Sequence, residues 1–221
     1  MMDKNAPVIE MCGIHKYFPG VHALKGVSFD LYPGEVHALV GENGAGKSTL
    51  IKLMSGIYSL DEGSYRFNNS SARICSPNDA IQKGLSVIYQ ELNLVSTLSV
   101  AENIYLGCEA TRLGLLDRRG MFRRAKELLE RLGLTEIRDV RCPVSSLSVA
   151  HQQLVEIARA LSRQAKILVL DEPTSSLSAV EIEALFGTLT QLRAQGVGII
   201  YISHRLEEII RLSDRITVLR D

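Results

Sequence analysis

A glycine-rich turn that ends in lysine and serine is the part of this sequence best suited to chemistry. It follows an apolar stretch at residues 36–40 and leads into a second one at residues 50–54. The turn fits the pattern G-x-x-x-x-G-K-[ST], in which backbone N–H groups and the N-terminus of a helix surround a phosphate chain. We therefore predict a nucleotide-phosphate site made by Gly41, Glu42, Asn43, Gly44, Ala45, Gly46, Lys47, Ser48 and Thr49.

Two side chains of this turn have specific roles in the prediction. Lys47 is placed to reach the β- and γ-phosphates, and the hydroxyl of Ser48 is placed to hold Mg²⁺. The alternative is a glycine-rich turn that binds nothing. The strand pattern before the turn and the helix pattern after it favour the phosphate site.

A pair of acids after a wholly apolar strand is the second candidate for chemistry. The strand covers residues 167–170, and Asp171 and Glu172 follow it directly. Such a strand is buried on both faces of a parallel sheet, and ligands bind at its carboxyl end. We expect Asp171 to meet Mg²⁺ beside Ser48, and Glu172 to accept a proton from the water that attacks the γ-phosphate. The alternative is a strand that simply ends in solvent.

The composition limits the classes of protein that remain. The 221 residues suffice for one or two domains, and the 25 basic residues balance the 25 acidic ones. This balance argues against a general nucleic-acid binder, which needs clustered cations. The four cysteines are far apart and are interpreted as reduced thiols, and no apolar run approaches the 18 residues that span a membrane.

The periodicity of apolar residues predicts an α/β core interrupted by helices. Strands are expected at residues 8–11, 27–31, 36–40, 64–67, 85–89, 167–170, 198–202 and 215–219, and helices at 50–54, 77–83, 100–106, 118–132, 149–161, 179–194 and 206–211. Ser148 is expected to cap the helix that begins at residue 149.

Residues 41–49 together with residues 170–174 resemble the ATPase subunit of an ABC transporter. Further segments match that family in order. Gln90 matches the glutamine that contacts Mg²⁺ and the attacking water, and His204 matches the histidine that contacts the γ-phosphate. Residues 147–152 occupy the signature position, and residues 175–178 match the D-loop. Phe18 matches the aromatic ring that stacks on adenine. Tyr17 is the alternative stacking residue.

Five segments, at residues 18–24, 41–49, 89–94, 171–177 and 201–204, more closely resemble the sugar-import group of this family, of the ribose, galactose, xylose or allose type. The resemblance implies the ABC ATPase fold, with a P-loop core and an antiparallel β-subdomain at residues 1–89 and 163–221, and a helical subdomain at 90–162. It implies ATP and Mg²⁺ as cofactors, and a second nucleotide-binding half or protomer, membrane permease subunits and, indirectly, an external sugar-binding protein as partners. The expected location is the cytoplasmic face of the cell membrane, with no role for nucleic acid.

The signature departs from the common L-S-G-G-Q, since this chain has Leu147-Ser148-Val149-Ala150-His151. Ser148 is kept, and we expect it to contact a nucleotide. Because Val149 and Ala150 replace glycines, the backbone is expected to approach that nucleotide less closely.

Two further observations concern residues with more than one interpretation. Ser178 stands where many relatives have aspartate at the end of the D-loop. His15, His22 and His37 share no ligand spacing with His151, so surface or packing roles are expected for them.

A GTPase is disfavoured because no N-K-x-D motif is present.

Overall fold

The computed structural model describes residues 6–112, 114–134 and 137–220. Its strands, numbered along the chain, are β1 (Ile9–Phe18), β2 (Val21–Leu31), β3 (Val36–Gly41), β4 (Glu62–Phe67), β5 (Ser70–Ser71), β6 (Leu85–Ile88), β7 (Thr111–Arg112), β8 (Leu115–Leu116), β9 (Ile167–Asp171), β10 (Gly198–Ile202) and β11 (Arg215–Leu219). The helices are α1 (Lys47–Met54), α2 (Pro77–Gln82), α3 (Val100–Tyr105), α4 (Arg118–Arg131), α5 (Val149–Ser162), α6 (Ala179–Ala194) and α7 (Leu206–Leu212), with a 3₁₀ turn at Val144–Ser146.

A parallel sheet of five strands, in the order β11-β3-β10-β9-β6, forms the centre of the molecule. Its inner strands are largely apolar, and β10 is buried at every position. Strands of this composition need cover on both faces, which the rest of the chain provides.

The two faces of this sheet belong to two separate hydrophobic clusters. Leu168 and Leu170 of β9 pack with the apolar side of α3, α4, α5 and α6. Ile167 and Val169 of the same strand pack instead with α1 and with β1, β2 and β4. Because side chains alternate along a strand, one strand contributes to both clusters.

The antiparallel sheet has the order β2-β1-β4-β5. Asn68 and Asn69 join β4 to β5, and both have positive φ, 48° and 59°. A two-residue hairpin loop favours this conformation because its twist matches that of the strands, and asparagine tolerates it well. A second, very short hairpin pairs β7 with β8.

Serine side chains begin several of the helices. Ser99 and Ser178 each form a capping box, with Glu102 and Glu181 respectively, at the N-termini of α3 and α6. Ser148 accepts a hydrogen bond from the N–H of His151 and so caps α5 as predicted. Within the described residues, no helix is both long enough and apolar enough to cross a membrane.

The predicted fold class is confirmed, because a parallel sheet, an antiparallel sheet and a group of helices are all present. The prediction was wrong about the length of the first two strands, which continue to Phe18 and start at Val21. Shifts in register after Met11 break the alternation on which that prediction relied. The hairpin of β7 and β8 was not predicted.

The division into a core and a helical subdomain stays a prediction. Residues 1–5, 113, 135, 136 and 221, which fall inside those predicted ranges, lie outside the described part of the chain.

Candidate nucleotide site

Most of the predicted site residues lie at or just after the ends of strands that meet at one edge of the parallel sheet. Asp171 at the end of β9 lies beside Ile202 of β10, and Ile202 in turn lies beside Leu39 of β3. Ile88, the last residue of β6, lies beside Leu170. The segments that follow these four strands therefore start from the same edge. They carry the P-loop at residues 41–49, Gln90, Asp171, Glu172 and His204.

The P-loop itself is closely packed against β2. Gly46 has a φ of 96°, and a Cβ atom there would lie 2.6 Å from Cδ2 of Leu24 and 2.9 Å from the carbonyl oxygen of Ala23. The ammonium group of Lys47 donates hydrogen bonds to the carbonyl oxygens of Gly41, at 2.6 Å, and Glu42, at 2.9 Å. The loop thus curls around its own lysine, at the N-terminus of α1, as an anion site requires.

Asp171 has the electrostatic surroundings of a cation ligand. Burial raises the pKa of its carboxyl group, and the neighbouring Glu172 raises it further. The positive charges of Lys47 and Lys52 act in the opposite direction and lower it. A bound cation would favour the charged form of this carboxylate.

Glu172 and His204 form a pair. Nδ1 of His204 lies 3.4 Å from Oε1 of Glu172. The Glu172 backbone has a φ of 48°, which is unusual for a residue with a side chain, and its N–H donates to the carbonyl oxygen of Ile202 at 2.9 Å. Such strain is often found at functional sites, where the surroundings hold the residue in place.

The oxygen donors available fit Mg²⁺. Ser48 offers a hydroxyl group in the first turn of α1, and Asp171 offers a carboxylate. In the described part of the chain, no group of three or more His, Cys, Asp or Glu side chains could enclose a metal ion. In nucleotide sites, Mg²⁺ is typically bound by one or two oxygen-bearing side chains together with substrate phosphates.

Gln90 lies just beyond β6 with its side chain exposed. The segment that follows it is attached to α5. The N–H of Asn93 donates to Oε1 of Glu156 at 2.6 Å, and Arg159 donates to the carbonyl oxygen of Asn93 at 3.0 Å. Burial raises the pKa of the Glu156 carboxyl group, although the hydrogen bond from Asn93 lowers it. The position of Gln90 is therefore linked to the helix that Ser148 begins.

The signature segment has one exposed substitution and one buried one. The hydroxyl of Ser148 lies 3.2 Å from Nδ1 of His151. Val149 is 44% exposed, whereas Ala150 is 7% exposed and packs inward. Of the two residues that replace glycines, only Val149 therefore presents its side chain at the surface beside Ser148.

Two aromatic residues at the end of β1 remain candidates for the adenine contact. Phe18 is half-buried, with its ring edge-on to Tyr58 at 5.2 Å between centroids. Tyr17 is 45% exposed and stacks on His22 at 4.3 Å. Nε2 of His22 lies 3.0 Å from Nδ1 of His15, so the two imidazole rings contact each other.

Other polar contacts near the site were not expected from the sequence. Gln153 on α5 donates a hydrogen bond of 2.5 Å to the carbonyl oxygen of Pro173, in the loop just after Glu172. The sequence could have indicated this contact, because Gln153 falls within the apolar stripe of its helix. His37 is also fully buried, and its two ring nitrogens contact the carbonyl oxygen of Asp30 and the hydroxyl of Thr217, both at 2.8 Å.

Comparison with known proteins gives three consistent likenesses. The family model described as ABC transporter matches residues 24–175. The chain is 53% identical over 97% of its length to the ribose import ATP-binding protein RbsA 1 of Rubrobacter xylanophilus, and 48% identical over 98% to RbsA 2 of Escherichia coli O157:H7. It spans only 43% and 42% of those two proteins.

A solved structure supports the same relationship. The nucleotide-free ATP-binding cassette from an ABC transporter superposes with a TM-score of 0.84 and 28% identity, over 97% of this chain and 88% of that one.

Proposed function

This chain belongs to the ABC transporter family, and we propose that it is one nucleotide-binding half of an ATPase that drives import of a sugar. The observation that carries the proposal is the common sheet edge. The segments that start at this edge carry a P-loop with its lysine, a half-buried aspartate, and a glutamate in contact with a histidine. These are the groups needed to bind a nucleoside triphosphate and to direct water at its γ-phosphate.

ATP binding is assigned to the P-loop. Its amide groups and Lys47 would surround the β- and γ-phosphates, and Lys47 would exchange its bonds with the carbonyl oxygens of Gly41 and Glu42 for bonds to phosphate oxygens. Phe18 is proposed to stack on adenine. Ser48 and Asp171, with Gln90, would hold Mg²⁺, which would supply positive charge to offset the negative charge of the phosphates.

Hydrolysis is assigned to Glu172 and His204. Glu172 would accept a proton from water as the water oxygen bonds to the γ-phosphorus and the bond from phosphorus to the ADP oxygen breaks. His204, which contacts Glu172, would keep that carboxylate in position and donate to a γ-phosphate oxygen as charge develops there. Transfer to water requires no covalent intermediate.

The complete site is proposed to need two halves. Ser148, at the exposed N-terminus of α5, would contact the nucleotide held by the P-loop of the partner half. The short span of this chain relative to its ribose-import relatives agrees with a second half in the same protein. Permease subunits and, through them, a sugar-binding protein outside the cell would complete the system, with this chain at the cytoplasmic face of the membrane. The equal numbers of basic and acidic residues argue against a nucleic-acid partner.

The test of hydrolysis is Glu172→Gln in the full-length protein. We expect ATP turnover to fall about 10²- to 10⁴-fold, because the general base is lost, while MgATP still binds. Glu207→Gln is the matched control, because Glu207 is an exposed glutamate on α7 with no assigned role. Turnover by Glu172→Gln at the parental rate would remove Glu172 from the mechanism.

The test of transport is separate. The full-length protein, reconstituted with its permease and binding protein in vesicles, should hydrolyse ATP faster when ribose is present. A panel of other sugars identifies the substrate if ribose has no effect. Stimulation by no sugar would contradict the transport assignment while leaving the ATPase assignment intact.

A further inference from the structure

Three hydroxyl groups converge on one buried carboxylate oxygen behind the candidate site. Oε2 of Glu208, on α7, accepts hydrogen bonds from Thr174 at 2.8 Å, from Tyr201 at 2.8 Å and from Ser203 at 2.9 Å. Glu208 itself is 7% exposed. A glutamate buried to this degree is found in proteins only where its charge is well paired.

The other oxygen of this carboxylate is also paired. Arg205 reaches Oε1 at 3.3 Å, and the backbone N–H of Arg205 donates to the hydroxyl of Ser203 at 3.0 Å. Burial raises the pKa of Tyr201, and its hydrogen bond to Glu208 raises it further, so the phenol keeps the proton that it donates. The group is thus a closed network in which Glu208 is the common acceptor.

The members of this network flank the residues assigned to hydrolysis. Thr174 lies two positions after Glu172 in the chain, and Ser203 and Arg205 lie on either side of His204. Glu208 therefore bonds to both loops that supply the Glu172–His204 pair. Glu208 bonds to neither of those two residues; it bonds to the segments beside them, while their own side chains contact each other.

We propose that Glu208 is a positioning residue for hydrolysis, which sets the separation of Glu172 and His204 by tying the loop after β9 to the loop after β10. The inference rests on the proposed ATPase function. Its physical basis is that a displacement of about 1 Å at a reacting group can cost about 10²-fold in rate. Loss of a common acceptor frees both loops at once.

The first test compares substitutions at the network in the full-length protein. Glu208→Gln should lower kcat for ATP about 10- to 100-fold, and Tyr201→Phe about 3- to 10-fold, with KM for ATP changed by less than about 2-fold. Tyr65→Phe is the matched control for Tyr201→Phe, because Tyr65 is another buried tyrosine and belongs to the hydrophobic cluster on the other face of the sheet. It should leave kcat unchanged. Losses that appear in KM, or equally in Tyr65→Phe, would overturn the inference.

The second test separates positioning from a general loss of packing. In a His204→Ala background, Glu208→Gln should lower kcat by a smaller factor than it does in the parent, because one of the two residues that it positions is already gone. A purely structural role predicts that the full factor is repeated in that background. Full additivity would therefore contradict the proposal.

A crystal structure of Glu208→Gln provides a readout that does not depend on hydrolysis. The separation of His204 Nδ1 and Glu172 Oε1 should grow from 3.4 Å to beyond contact distance. An unchanged pair would refute the inference whatever the activity. A parental protein that binds ATP but shows no turnover dependent on Glu172 would instead refute the proposed function, and the structural test of Glu208 would still stand.

Discussion

Two glycines in the P-loop allow the same substitution to be compared in the same backbone conformation. Gly44 has a φ of 95° and Gly46 a φ of 96°. A Cβ atom at Gly44 would meet nothing within 4 Å, whereas at Gly46 it would meet the side chain of Leu24 and the backbone oxygen of Ala23. Replacing each by alanine therefore separates the cost of backbone strain from the cost of crowding.

The expected free energies follow from these surroundings. Positive φ costs an alanine about 1–2 kcal/mol, partly offset by about 0.4–1 kcal/mol from the restriction of the unfolded chain. Gly44→Ala should thus lower the free energy of unfolding by about 1 kcal/mol. Gly46→Ala adds a clash with a backbone atom that cannot move alone, so overpacking of about 1–3 kcal/mol brings its total to about 2–4 kcal/mol.

Urea unfolding of the two variants measures the difference in their free energies of unfolding, and calorimetry measures their affinity for MgATP. If phosphates occupy the open space beside Gly44, Gly44→Ala should weaken MgATP binding while it lowers the free energy of unfolding by only about 1 kcal/mol. Gly46→Ala should weaken both. Equal destabilisation by the two substitutions would refute the assignment of the contacts around Gly46, and unaltered MgATP affinity in Gly44→Ala would count against phosphate in that space.

Three further predictions concern single charges and contacts. Lys47→Ala should weaken MgATP binding by about 1.5–3 kcal/mol, as for other hydrogen bonds to charged groups, and unchanged affinity in calorimetry would contradict the P-loop assignment. Activity of the isolated chain should rise faster than linearly with its concentration, and Ser148→Arg should abolish that rise; a strictly proportional rate that survives Ser148→Arg would refute the two-half site. Hydrogen bonds from Ser99 and the contact with Arg118 lower the pKa of Glu102 to about 2, so its stabilising effect is present above the unfolded pKa of about 4.5 and is lost as pH falls through about 2. The stability difference between parent and Glu102→Gln in urea should shrink over that range, and a difference independent of pH would contradict this account.

The parts of the site that were predicted are those whose signal is local in the sequence. The P-loop pattern specifies its own turn, and an apolar strand ending in two acids specifies where those acids emerge. Parallel strands then place both at one edge without further information. The same holds for α5, where Ser148 in front of an apolar periodic stretch was enough to locate its first turn.

The parts that were not predicted depend on contacts between distant segments. Glu208 reads in the sequence as one of two adjacent acids on a short helix, and only folding brings Thr174 and Tyr201 to it. The length of β1 was underestimated because irregular pairing after Met11 interrupts the alternation of apolar and polar residues. Local sequence patterns do not indicate which side chains from distant segments will come into contact.

The left-handed backbone at Glu172 has a consequence for protein engineering. A design procedure that scores how well each residue type suits the local backbone conformation would replace Glu172 with glycine or asparagine. Both accept a φ of 48° more readily than glutamate does. Relief of such strain is worth on the order of 1–3 kcal/mol, which is a substantial gain for a domain of marginal stability. Under the proposed mechanism, the resulting protein would be more stable and would bind ATP but would lack the general base for its hydrolysis.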